Sequence, residues 1–126
     1  MVQRQRRLAF YRYTPATPIR TNRYGIAEPD PHAATFVATA ILDAVLLPLV
    51  AFDARGHRLG MGGGYYDASL AARPRALRIG LAHAVQFCPA LPARDWDVPL
   101  DAVLTERGGF SFTARARRFF PPYEAH

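Results

Sequence analysis

Three apolar runs of strand length divide the second two-thirds of the chain: "DAVLLPLVAFD" at 43–53, "ALRIGLAHA" at 76–84 and "LDAVLTE" at 100–106. The first is continuously apolar, which predicts a central strand buried on both faces of a parallel or mixed sheet. Pro48 within it cannot donate to a ladder, so a bulge or an edge of the pairing is expected there. Upstream, "LAFYRYTP" from Leu8 to Pro15 alternates in part and is rich in aromatics, as a strand is. "TPIRTNRYGIAEPDP" is punctuated by Pro18, Gly25, Pro29 and Pro31 and predicts an ordered loop. A short helix is expected over 33–42. Asp53 to Gly56 carries a turn signature. "YYDASLAAR", Tyr65 to Arg73, predicts a helix with Asp67 near its first turn and Pro74 past its end. "FCPALPARDWDVP" is a proline-rich connection. Strand, loop, helix, strand is the rhythm of an α/β domain. The final stretch, "RGGFSFTARARRFFPPYEAH", shows no period and is assigned no structure.

Residues 34–52 are nearly long enough to span a membrane, but Asp43 sits mid-run, where a charge costs roughly 2.5–3.5 kcal/mol on insertion scales. Two buried elements are expected in place of one span. A chain of 126 residues, half of them hydrophobic, suffices for one folded domain. The single cysteine, Cys88, excludes an internal disulfide framework, and with no secretory pattern at the N-terminus a reducing cytoplasm is the expected setting. All basic residues are arginine, and the net charge of +6 belongs to the ends. Residues 1–23 and 107–126 hold the excess, whereas 24–106 is net acidic. Residues 1–7 are read as a basic arm. Such ends are more often solvated than nucleic-acid-reading, so nucleic acid is disfavoured as a partner.

"LGMGGGYYD", 59–67, is the densest concentration of glycine. It is expected to follow a strand and open a helix, where α/β folds place ligands. Consecutive glycines let backbone N–H groups converge on an anion, and a helix N-terminus adds to this. Neither common phosphate template fits. A Walker loop needs a lysine, which the chain lacks, and the dinucleotide fingerprint needs glycine where Tyr65 stands. On physical grounds alone, a phosphate or nucleotide site and a tight structural turn both remain open.

The run "PLVAFDARGHRLGMGGGYYD" resembles the signature of the 5-formyltetrahydrofolate cyclo-ligase family. "NRYGIAEP" (22–29), "IGLAHAVQ" ending at Gln86, and "LPARDWDVPLDAVLTE" (91–106) are similar to further family segments in the same order, so the likeness covers about residues 8–106. It implies a three-layer α/β fold with helices on both faces of the sheet, akin to ribose-5-phosphate isomerase and CoA transferases. It also implies ATP- and Mg²⁺-dependent conversion of 5-formyltetrahydrofolate to 5,10-methenyltetrahydrofolate. Carried over, Arg58, Leu59, Gly60, Met61, Gly62, Gly63, Gly64, Tyr65 and Tyr66 form the ATP loop. Met61 through Tyr65 also border the folate, and Asp67 and Asp97 hold Mg²⁺. Plainer readings stand beside these. Arg58 could be a surface residue of the turn, Tyr65 or Tyr66 a core aromatic, and Asp67 a helix-start acid. Asp97 is singled out from Asp95 and Asp101 only by the alignment. Trp96 reads as packing, the four histidines lack metal-ligand spacing, and Cys88 reads as a small buried hydrophobe. Gln86 is divided between a site role and a surface role.

The resemblance is to the C-terminal part of the family. The lysine/arginine-rich helix and the acidic motif that precede it there are not in this sequence, and the tail after Glu106 runs beyond the pattern. Two functions are therefore expected to compete: a cyclo-ligase with an incomplete site, or a non-catalytic module that binds anions or nucleic acid on the same scaffold.

Overall fold

The computed structural model describes residues 8–60, 75–92 and 98–124. Its main feature is a mixed four-stranded sheet. β5 (Ala44–Pro48), β8 (Leu77–Leu81) and β9 (Ala102–Thr105) run parallel, and β10 (Gly108–Ser111) closes one side antiparallel, in the order β10-β9-β8-β5. Three two-stranded ribbons complete the described strands: β1 (Phe10–Tyr11) with β4 (Phe36–Val37), β2 (Ile19–Thr21) with β3 (Ala27–Pro29), and β6 (Ala51–Phe52) with β7 (Arg58–Leu59). The helical pieces among the described residues are 3-10 turns at Thr39–Ile41, Ala84–Gln86 and Ala114–Ala116. The helix expected at 65–73 lies outside the described residues.

The register explains the core. Leu47 pairs Gly80, Gly80 pairs Val103 and Val103 pairs Phe110, which sets these residues in one row on one face. With Val45, Leu49, Phe52, Val98 and Leu100 they form the main cluster, bordered by Phe87, Phe112 and Tyr123. Gly80 is required by closeness: a Cβ there would lie 2.7 Å from Leu49 Cδ2 and 2.9 Å from Leu100 Cδ1. On the opposite face Ile79 and Ala102 pack with Ala116, Leu77, Leu104 and Phe120.

Two expectations need correction. β5 is the edge strand of the described sheet, not its centre, and it alternates: Val45 and Leu47 are buried while Ala44, Leu46 and Pro48 are exposed. Its apolar character on both faces therefore misled, and Pro48 closes the strand. Residues 33–42 form no α-helix. Ala33 and Ala34 donate to Asp30 O in a turn, Phe36–Val37 pair with β1, and only Thr39–Ile41 coil.

The tail that the sequence left unassigned is integral to the sheet. β10 forms a hairpin with β9 across Glu106 and Arg107, with Gly108 at φ +123°. Beyond it, Ser111 N donates to Pro121 O, and Tyr123 N to Ser111 O. Arg115 is exposed yet tied to the fold. Its Nε and Nη2 donate to Asp101 at 2.9 and 2.6 Å, and Nη1 and Nη2 also reach the carbonyls of Arg75 and Ala76.

Candidate active site

The site is organised from Asp53, the residue after β6. Its carboxylate is fully buried. Oδ1 accepts the backbone N–H groups of Arg55 (2.9 Å) and His57 (3.0 Å), and Oδ2 accepts Leu91 N (3.2 Å) and lies 3.0 Å from His57 Nδ1. An aspartate that bonds its own backbone two residues on is the chemistry of an Asx turn. Gly56, at φ +84°, supplies the left-handed position, and a Cβ there would also lie 2.8 Å from Leu100 O. Burial pushes the Asp53 pKa up, but the bonds from Leu91, His57 and Arg55 outweigh it and hold the group below its ordinary value.

This turn does more than reverse the chain. Asp53 N donates to His57 O, which continues the β6–β7 pairing and aims β7 toward the glycine loop. At the same time Leu91 N is bonded to Asp53, and Leu100 N to Gly56 O at 2.8 Å. Leu91 and Leu100 flank the segment that contains Asp97. One five-residue turn thus holds the strand entering the glycine loop and both ends of the connection bearing the second candidate metal ligand.

Of the sequence-predicted site residues, Arg58, Leu59 and Gly60 are described. Arg58 is half-buried, and a Cβ built on Gly60 would meet Arg58 Nη1 at 2.9 Å, so the guanidinium lies against the first glycine of the loop. Leu59 is exposed, and its carbonyl accepts the Val50 N–H at 2.7 Å. Met61, Gly62, Gly63, Gly64, Tyr65, Tyr66, Asp67 and Asp97 lie outside the described residues, as does Trp96. Among the described residues no group of three His, Cys, Asp or Glu side chains could hold a metal ion. Gln86 is committed to the backbone: Nε2 donates to Leu49 O and Val50 O, both at 3.0 Å, while Oε1 accepts His83 N. It ties the loop after β5 to the loop after β8. Cys88 is half-buried, with its N–H on Phe52 O.

Asp53 is the organising residue that sequence reasoning passed over, having read it only as part of a turn. The available signal was an aspartate three positions before a glycine, directly after an apolar strand. Asp101 has a comparable burial but faces elsewhere. It accepts Arg115, Arg78 N and Thr113 Oγ1, and it binds the tail to β8.

The pattern of the 5-formyltetrahydrofolate cyclo-ligase family matches residues 1–106. A 5-formyltetrahydrofolate cyclo-ligase of Haemophilus influenzae is 43% identical over 99 residues, which are 77% of this chain and 53% of that protein. One of Escherichia coli K12 is 41% identical over 100 residues, 78% of this chain and 55% of that protein. The chain thus spans about half the length of the curated relatives it matches. The NMR structure of Aquifex aeolicus 5,10-methenyltetrahydrofolate synthetase superposes with a TM-score of 0.71 at 34% identity, covering 96% of this chain and 58% of that one. Residues 107–124, folded against β9, lie past the matched pattern. The matched pattern, the curated relatives and the solved structure agree, and the chain belongs to the 5-formyltetrahydrofolate cyclo-ligase family.

Proposed function

We propose that this chain supplies the ATP loop and the metal-holding carboxylates for conversion of 5-formyltetrahydrofolate to 5,10-methenyltetrahydrofolate, with release of ADP and phosphate. The observation that carries this reading is the Asp53–Gly56 turn. It holds β7, which leads into Gly60, and it bonds Leu91 and Leu100, which lie before and after Asp97 in the sequence.

In the proposed reaction the γ-phosphoryl group passes to the formyl oxygen. N10 of the folate then attacks the formyl carbon, the C–O bond breaks with phosphate as leaving group, and the N10 proton is lost. Phosphoryl transfer asks the protein chiefly for positioning and charge neutralisation. The glycine N–H groups that such a loop can turn toward an anion, and the Arg58 guanidinium beside Gly60, are suited to orient the phosphates. Asp53 acts at a distance, by holding the hairpin. Mg²⁺ takes one or two carboxylates together with phosphate oxygens and water, a donor set that Asp67 and Asp97 match in kind. When bound, it would neutralise charge on the transferring phosphate. The buried carboxylates Asp53 and Asp101 contribute nothing to such a site, since protein donors already occupy them.

The test is formation of methenyltetrahydrofolate absorbance from 5-formyltetrahydrofolate and Mg-ATP. The chain alone should stay at background, because it spans about half the length of the curated relatives it matches. Activity should appear when the N-terminal segment of a full-length relative is supplied in trans. Robust turnover by the chain alone would overturn the divided-site reading, and absence of turnover in both cases would overturn the function.

A further inference from the structure

A concavity lies at the carboxyl end of β9, and none of Arg58, Leu59 or Gly60 lines it. It has a volume of about 340 Å³ and is walled by Phe52, Phe87, Phe110 and Tyr123, with Arg107 and Glu124 as its charged groups. This is at the lower end of the roughly 300–1,000 Å³ typical of small-molecule sites. The space suits one aromatic ring with a short polar arm better than a nucleotide.

The tail makes this cavity. Arg107, Phe110, Tyr123 and Glu124 all follow the last residue of the family pattern, while Phe52 and Phe87 belong to the shared scaffold. The walls are built to present ring faces and edges. Phe87 and Tyr123 stack at 5.7 Å with planes 28° apart, and Phe110 stands at 90° to Tyr123 at the same separation. Offset and edge-on aromatic contacts of this kind accept a further ring. Polar supply is limited and opposite in sign. The Arg107 guanidinium makes no ion pair among the described residues, and Glu124 offers an acceptor. Glu106, next to Arg107, is already engaged by Ala84 N at 2.6 Å. Burial raises the Tyr123 pKa and the charge of Arg107 opposes that rise, which places the guanidinium within electrostatic reach of the phenol.

We propose that this tail-built cavity holds the 4-aminobenzoyl-glutamate arm of a folate, with the benzoyl ring against Phe110 and Tyr123 and a glutamate carboxylate on Arg107. The inference rests on the folate reading above. It adds a substrate contact made by residues beyond the family pattern. Location supports it: ligands of α/β sheets bind outside the carboxyl ends of the strands, and the cavity lies at the end of β9, where Thr105 lines it.

The experiment is an NMR titration of the full chain with 4-aminobenzoyl-glutamate, and in parallel with 4-aminobenzamide, which lacks the carboxylates. Saturable shifts should map to residues 105–124 with submillimolar affinity. Arg107→Gln should weaken 4-aminobenzoyl-glutamate about tenfold, equivalent to about 1.4 kcal/mol, while leaving 4-aminobenzamide unaffected. Arg107→Lys should restore most of the loss. Arg107 is exposed, so the fold should survive both changes. No saturable binding at millimolar probe, shifts confined to other residues, or equal affinity in Arg107→Gln would each overturn the proposal. Protection of the glycine-loop region by Mg-ATP in the same protein would meanwhile leave the function of that region standing.

Discussion

Asp53 and Asp101 are both buried carboxylates held below their ordinary pKa, yet they are satisfied by different chemistry. Asp53 is served mainly by backbone N–H groups, two of them from its own turn, and it shapes a short hairpin. Asp101 is served by guanidinium groups: Arg115 twice, with Arg78 Nη2 at 3.8 Å, together with Arg78 N and Thr113 Oγ1. The first builds local geometry at the entrance to the glycine loop. The second joins distant parts of the chain, drawing residues 113–115 onto the start of β8. A carboxylate satisfied by its own turn is a positioning device, and one satisfied by remote arginines is a structural rivet. The site should therefore respond to Asp53 and global stability to Asp101.

Acid should disturb both at once and produce the largest effect. Burial raises each pKa, but the hydrogen bonds prevail and both folded values lie below the ordinary value of about 3.9. A depressed folded pKa contributes stability that is fully present above the unfolded value and is lost as pH falls through the folded value. Unfolding free energy by urea should hold steady on this account from neutral pH down to about pH 4 and then fall. An unchanged urea midpoint well below that pH would show that neither carboxylate is coupled to folding.

Removing the rivet alone should come next. Asp101→Asn leaves Arg78 and Arg115 near a neutral amide. Breaking a buried pair costs roughly 3–5 kcal/mol, and the lower end is expected because the Arg115 side chain is 40% exposed and water can compensate it. A double-mutant cycle with Arg115→Ala should show strong coupling. Additive losses would mean that the two side chains act independently.

At the Asp53 turn, Gly56→Ala should cost about 1–3 kcal/mol, since alanine is strained at φ +84° and its Cβ would crowd Leu100 O. Asp53→Asn should cost less in stability and more in nucleotide affinity. Equal changes in both quantities for Asp53→Asn and Asp101→Asn would erase the distinction between the two regions. The smallest effect belongs to a third carboxylate, Asp43, whose pair with Arg75 at 3.3 Å is open to water on both sides. Arg75→Ala should shift stability by less than about 0.5 kcal/mol, as read by the same urea curves.

The same contrast explains what the sequence made legible. The turn at 53–56 could be read because its determinants lie within four residues, and the apolar stretches that became β8 and β9 because both are shielded on their two faces. β5 was misplaced because Leu46 and Pro48 are apolar yet exposed, so burial could not be inferred from composition. The tail escaped because its partners are remote: Arg115 bonds Asp101 and Ala76, and Ser111 bridges Pro122. A run of arginines looks solvated until its carboxylate is found. Of the candidate site, the glycine loop was legible by its residues, whereas the clamping of Leu91 and Leu100 by Asp53 and Gly56 required the fold.

The central claim is that the Asp53 hairpin delivers a nucleotide site. Amide hydrogen exchange with and without saturating Mg-ATP tests it most directly, comparing residues 58–67 with residues 101–113 in the folded chain. The account predicts nucleotide-dependent protection in the first stretch and unchanged exchange in the second, with the protection weakened in Asp53→Asn. Equal exchange of residues 58–67 in the presence and absence of Mg-ATP would contradict it.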